Sequence, residues 1–224
     1  MWCIPPDEDA AFVCKMEDVL EVYERPYDER FPQVCLDEAA KQILSEVREP
    51  IAAQPGQPQR IDNEYHREGT CALFMLFEPL AGKRKVFVRS QRTCLDYAEV
   101  IRSLCDDMYP TAQKIILVQD NLNTHGAHSL YKAFAPSEAR RLMERIEWHY
   151  TPKHGSWLNM AETELSVLAC QCLEERMGSA DHLAFQVSAW ESARNAALCR
   201  VDWRFRTADA RIKLKRLYPV ILPQ

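Results

Sequence analysis

The segment KIILV, residues 114–118, constrains the fold more than any other part of the chain. A continuous apolar run without polar alternation makes a strand covered on both faces, as in a parallel sheet, rather than a strand with one wet face. A parallel strand needs a crossover before it, and one is legible. Thr93, followed three residues later by Asp96, opens a helix in the capping-box pattern. Tyr97, Ile101, Leu104, Cys105 and Met108 give that helix one apolar face, and Pro110 ends it.

Upstream, the runs TCALFMLFEPL and KRKVFVRS are joined through Ala81-Gly82, a turn signal that makes them an antiparallel hairpin. The stretch QVCLDEA before them reads as a short strand ending in Asp37 and Glu38. Between the two, Pro50, Pro55, Gly56 and Pro58 break regular structure. A lead-in helix carries Val13, Met16, Val19, Leu20 and Tyr23 at three- and four-residue spacing, closed by Pro26 and Pro32. After KIILV follow a helix around Leu130 and Phe134, another carrying Leu142, Met143 and Ile146, a short strand WHYTP, and a helix from about Ser156. With the two helices after KIILV counted as one crossover, the order β-β-β-α-β-α-β-α is the ribonuclease H plan, an α/β fold with a mixed five-stranded sheet flanked by helices. We expect a lead-in segment over residues 1–30, the main unit over 31–178, and a basic helical extension of it over 179–224.

No apolar run approaches the ~20 residues needed to cross a bilayer, and the N-terminal stretch lacks the pattern of a signal peptide, which points to a cytoplasmic protein. The nine cysteines contain no CxxC pair, so they support neither a disulfide framework nor a zinc ribbon and read as small buried hydrophobes. The net charge of −5 argues against a nucleic-acid partner only until its distribution is read. Residues 1–49 hold thirteen acids and five bases, so the remaining 175 residues carry +3. From Arg200 to Arg216 seven bases face two acids, and Arg211, Lys213, Lys215 and Arg216 make a candidate surface for DNA phosphates.

The chemistry-bearing residues are acids at element ends. Asp37 follows one strand, and Asp120 lies just past KIILV, at the carboxyl end of a strand where open α/β sheets place their ligands. The word HYTPKHGSWLNMAETELS, residues 149–166, offers Glu162 and Glu164 at the start of a helix. Leu158, Ala161, Leu165, Leu168, Ala169 and Cys172 form its apolar stripe, with the two glutamates on opposite flanks. Glu162 borders the stripe slightly more closely, but periodicity leaves the choice open. Asn121, His125, Lys153, His154 and Asn159 lie beside these acids as candidates to orient a carboxylate or touch DNA. Trp157 reads as a packing anchor.

The words VCLDE, LVQDNLNTH and HYTPKHGSWLNMAETELSVL, in this order, resemble the catalytic domain of a DDE transposase of the mariner superfamily, in the bacterial insertion sequence 630 family. The resemblance spans essentially the whole chain. It aligns Asn159-Met160-Ala161-Glu162 with the word that carries the third acid, and so implies Asp37, Asp120 and Glu162 as the site. It implies two Mg²⁺ ions, with Mn²⁺ as a substitute. Transposon ends and target DNA follow as substrates, with a homodimer as the working form. Family members also carry an N-terminal helix-turn-helix that reads the terminal repeats. That region is expected from a separately encoded partner. Two alternatives remain at this point: a ribonuclease H-fold nuclease that cuts without joining, and a non-catalytic chain that only associates with a full-length transposase.

Overall fold

The computed structural model of the chain describes residues 4–121 and 126–220. Helix α1, Ala10–Glu24, starts where the Asp9 carboxylate accepts a hydrogen bond from the Phe12 amide at 2.9 Å. Five strands follow in chain order: β1 Gln33–Glu46, β2 Tyr65–Glu78, β3 Lys83–Arg89, β4 Ile115–Gln119 and β5 Ile146–Tyr150. They form one sheet in the order β3-β2-β1-β4-β5. β1, β2 and β3 pair antiparallel, whereas β4 pairs parallel with both β1 and β5. This is the expected mixed sheet.

The helices α2 Cys94–Ser103, α3 Ala127–Ala133, α4 Pro136–Glu144, α5 Met160–Cys172, α6 Ala180–Ala196 and α7 Thr207–Lys213 flank the sheet. The capping box that opens α2 is formed, with the Thr93 amide donating to Asp96 and the Asp96 amide to Thr93 Oγ1. Alternation along the strands divides the core. Cys35, Leu73, Met75, Phe77, Ile116 and Val118 face one side, with α1, α5, α6 and α7. Val34, Leu36, Phe74, Leu76, Ile115 and Leu117 face the other, with α2 to α4. The KIILV strand is thus covered on both faces. Each of its fully buried side chains contributes about 1.5–3 kcal/mol.

Four sequence expectations are corrected. β1 is no short strand but runs on to Glu46, paired with the polar first half of β2, whose residues Tyr65 to Thr70 are exposed. Ile146 is the first residue of β5 rather than the end of a helix, because Arg145 caps α4 and Ile146 enters the ladder opposite Ile115. The acidic helix starts at Met160, preceded by a single 3-10 turn, Ser156–Leu158. Of the eight described cysteines only Cys35, Cys71 and Cys105 are buried, while Cys14 and Cys170 are exposed. Among the described residues no helix is long and apolar enough to cross a membrane.

Two side-chain groups lock the flanking helices to the sheet. His149 on β5 sets Nδ1 2.8 Å from Asp18 Oδ2 of α1 and Nε2 2.9 Å from Glu147 Oε1. On the other edge, α6 satisfies the free side of β3. Asn195 accepts from the Arg84 amide and donates to the Arg84 carbonyl, each at 2.8 Å, and Glu191 accepts from the Val86 amide at 2.8 Å. Covering the edge from Arg84 to Val86 in this way protects that stretch from pairing with another chain.

Candidate active site

The parallel register brings two of the predicted acids together. Leu36 of β1 lies opposite Gln119 of β4, so the next residue on each strand, Asp37 and Asp120, falls at the carboxyl end of this parallel pair. β4 stops there, and the chain departs from the sheet. β1 continues along its antiparallel partner and keeps Asp37 on a strand rather than a loop.

Asn159 joins the third acid to this pair. Its side-chain amide donates to the Leu36 carbonyl at 2.9 Å, and its Oδ1 accepts from the Ala161 amide at 3.1 Å as the N-cap of α5. One buried side chain therefore ties the residue before Asp37 to the first turn of the helix that carries Glu162. Asn159 acts here as a brace within the protein. Tyr23 adds a second tie, donating from its hydroxyl to the Leu158 carbonyl at 2.7 Å. Trp157 packs against Trp203 and Phe205, at centroid distances of 6.5 and 5.9 Å. The preceding loop is equally fixed: Gly155 donates to the Pro152 carbonyl at 2.9 Å, and a β-carbon at 155 would lie 2.5 Å from the proline ring.

Asp37, Asp120 and Glu162 line one cleft of about 420 Å³, with Glu38, Ser156 and Asn159 on its walls. The Asp37 carboxyl is pushed up to about 7, first by burial and then by the charges of Asp120, Glu162 and Glu38, against a lowering hydrogen bond from the Glu38 amide. Glu38 shares the cleft but also pairs with Arg92 at 3.3 Å. Among the described residues no three His, Cys, Asp or Glu side chains are grouped closely enough to hold one ion together. A pair of hard carboxylate oxygens per ion, completed by phosphate and water, does not need such a trio. The hard oxygen donors of three carboxyls facing one cleft fit divalent cations, which would relieve their mutual repulsion.

Glu164 has a different task. It is 2% exposed, with Oε1 2.8 Å from Arg84 Nε and 2.7 Å from Arg194 Nε, so it staples α5 to β3 and α6. The apolar stripe of α5 thus includes Glu164, whereas Glu162 and Ala169 are exposed. The expectation that the glutamates lie on opposite flanks of the stripe, with Glu162 slightly the closer, is corrected: Glu164 is the buried one. Two arginines compensate the buried charge, which a count of apolar residues does not register.

A second groove of about 340 Å³ adjoins the cleft, sharing Asp120 and Ser156 with it. Asn121, Lys153 and His154 line it, together with Lys15 of α1, which the sequence did not single out. His154 adopts φ 65°, in the left-handed region. His125 lies outside the described residues. The C-terminal basic residues are not equivalent. Arg211 is held by Glu17, Nε and Nη2 each 2.9 Å from a carboxylate oxygen, and Lys213 lies over the Phe205 ring at 5.4 Å. Lys215 and Arg216 are exposed.

A model of the family described as DDE superfamily endonuclease matches residues 32–184. The chain belongs to this family. The matched stretch contains Asp37, Asp120 and Glu162, and it bears out the DDE resemblance read from the sequence. No match was found among curated proteins. Among solved structures, the Mos1 mariner paired-end complex with Mn is 16% identical with a TM-score of 0.54, over 88% of this chain and 60% of that one. The Mos1 paired-end complex with Mg is 15% identical with a TM-score of 0.55, over 97% and 66%. The Mos1 strand transfer complex is 16% identical with a TM-score of 0.55, over 84% and 55%. The fold of this DDE chain is therefore the ribonuclease H-like fold of a mariner transposase, and the chain spans between about half and two thirds of the length of those chains.

Proposed function

We propose that this DDE endonuclease is the catalytic domain of a transposase, which cuts transposon-end DNA and joins the freed 3′ end to target DNA. The observation that carries the reading is the convergence of Asp37, Asp120 and Glu162 on one cleft at the carboxyl end of the β1–β4 pair. Burial and the neighbouring carboxylates push the Asp37 carboxyl up to about 7, and no cationic side chain is paired to it among the described residues. Natural partners for such a cluster are divalent cations, Mg²⁺ or Mn²⁺, which Asp37, Asp120 and Glu162 would hold. When bound, a pair of such ions polarises the scissile phosphate and steadies the attacking and leaving oxygens of an in-line displacement.

The protein's own contribution is placement. The β1–β4 register fixes Asp37 against Asp120, and Asn159 fixes the turn that presents Glu162. Because one geometry serves either nucleophile, water gives cleavage and a 3′ hydroxyl gives joining. We further propose that the working form is a homodimer and that a helix-turn-helix partner supplies end recognition.

A strand-transfer assay with a precut donor end and a target plasmid tests the joining step. Joined product in Mg²⁺ or Mn²⁺ supports the transposase reading. Nicking without joined product supports a nuclease instead, and neither activity in a folded chain supports a purely associative role.

A further inference from the structure

We propose that Lys15, Lys153 and His154 form a phosphate-holding subsite for the DNA strand that enters the acidic cleft, in the groove on the far flank of Asp120. The inference rests on the DNA reading above and adds to it a place and a set of contacts.

Three observations point there. The groove and the acidic cleft share Asp120 and Ser156, so a strand lying in one continues into the other. Its cations come from two separate elements, Lys15 from α1 and Lys153 from the loop after β5, and that loop also presents the His154 imidazole. Among the described residues none of the three takes part in a salt bridge, whereas Arg211 is committed to Glu17 and Arg84 and Arg194 to Glu164.

The physical need is plain. Three carboxylates in the cleft repel a polyanion, so the strand must be held by cations beside them. Cations already neutralised by an internal acid release few counterions on binding DNA, and uncommitted ones release more. The site is also built rather than loose. Gly155, which a β-carbon would drive into Pro152, fixes the turn that presents Lys153 and His154, and α1, which carries Lys15, is anchored to β5 through Asp18 and His149. Asn121, directly after Asp120, adds an amide to the same groove.

The test is duplex binding measured by fluorescence anisotropy over a series of salt concentrations, without divalent metal so that cleavage does not intervene. Chains carrying Lys15→Gln and Lys153→Gln together are compared with the unaltered chain, with Lys15→Arg plus Lys153→Arg, and with Arg140→Gln of α4 as a surface control. Loss of two phosphate contacts should lower the salt slope by about two and weaken all duplexes alike. The arginine pair should restore the slope, and the control should match the unaltered chain. Thermal melts establish that the altered chains fold.

An unchanged slope for the glutamine pair, or equal losses in the arginine pair, overturns the subsite. Failure of the parent reading looks different. If the unaltered chain binds DNA with the lysine-dependent slope yet never nicks it in Mg²⁺ or Mn²⁺, the endonuclease reading falls and the subsite stands.

Discussion

At the scale of single residues, the electrostatics of the cleft act on Asp37. Its carboxyl is raised from the ordinary aspartate range to about 7, so between these values the folded chain holds a proton that the unfolded chain has released. The contribution of Asp37 to stability is therefore fully present below about pH 4 and is lost as pH rises through 7. Thermal melts of metal-free protein should show this loss between pH 4 and 8. Asp37→Asn should remove it and stabilise the metal-free chain at pH 8 by on the order of 2 kcal/mol, after allowance for water in the cleft. A variant no more stable than the parent at pH 8 would contradict the assignment. The two glutamates of α5 show what the sequence could and could not say. Apolar spacing set Glu162 slightly closer to the stripe without deciding between it and Glu164, and the family word favoured Glu162. The arginines that hold Glu164 come from β3 and α6, about 80 and 30 positions away, and no local pattern announces them. Glu164→Ala should cost about 3–5 kcal/mol in denaturant unfolding, because it leaves Arg84 buried without its partner.

At the scale of elements, the sheet was legible where strands bury their side chains and obscure where they do not. KIILV and the β2–β3 hairpin were read from apolar patterning. The outer half of the β1–β2 pair was missed because Tyr65 to Thr70 are exposed and carry no hydrophobic signal. The start of α5 was placed about four residues early because the 3-10 turn Ser156–Leu158 continues its apolar spacing backwards. The true start is set by Asn159, which caps the helix and reaches back to β1. Asn159→Ala should lower stability by about 2 kcal/mol, one part for the lost cap and one for the unsatisfied Leu36 carbonyl. It should lower the turnover rate for DNA cleavage more than the Michaelis constant, because Glu162 loses its register with Asp37. A variant with unimpaired turnover would remove Asn159 from the positioning role.

At the scale of the whole molecule, the sequence made the α/β plan and the acidic site legible, but it left the surface around the site unread. Lys15 lies in a helix with no motif, and only the fold sets it beside Asp120. The C-terminal cluster, read as a uniform basic face, divides into Arg211 bound to α1 and the exposed Lys215 and Arg216. What the molecule does follows from whether the acids hold metal and act on DNA. Divalent cation should raise the melting temperature, since folded protein binds it and unfolded chain does not, by an amount equivalent to about 2.7 kcal/mol at one hundred times the dissociation constant. The most direct measurement is nicking of supercoiled plasmid in Mg²⁺ or Mn²⁺ by the unaltered chain, Asp120→Asn, Glu162→Gln and, as the internal comparison on the same helix, Glu164→Gln. Metal-dependent nicking is expected from the unaltered chain, with losses of at least about a hundredfold in Asp120→Asn and Glu162→Gln. Glu164→Gln should lose stability but nick whenever it is folded. Nicking that survives Glu162→Gln, or that folded Glu164→Gln abolishes instead, would contradict the assignment of the site.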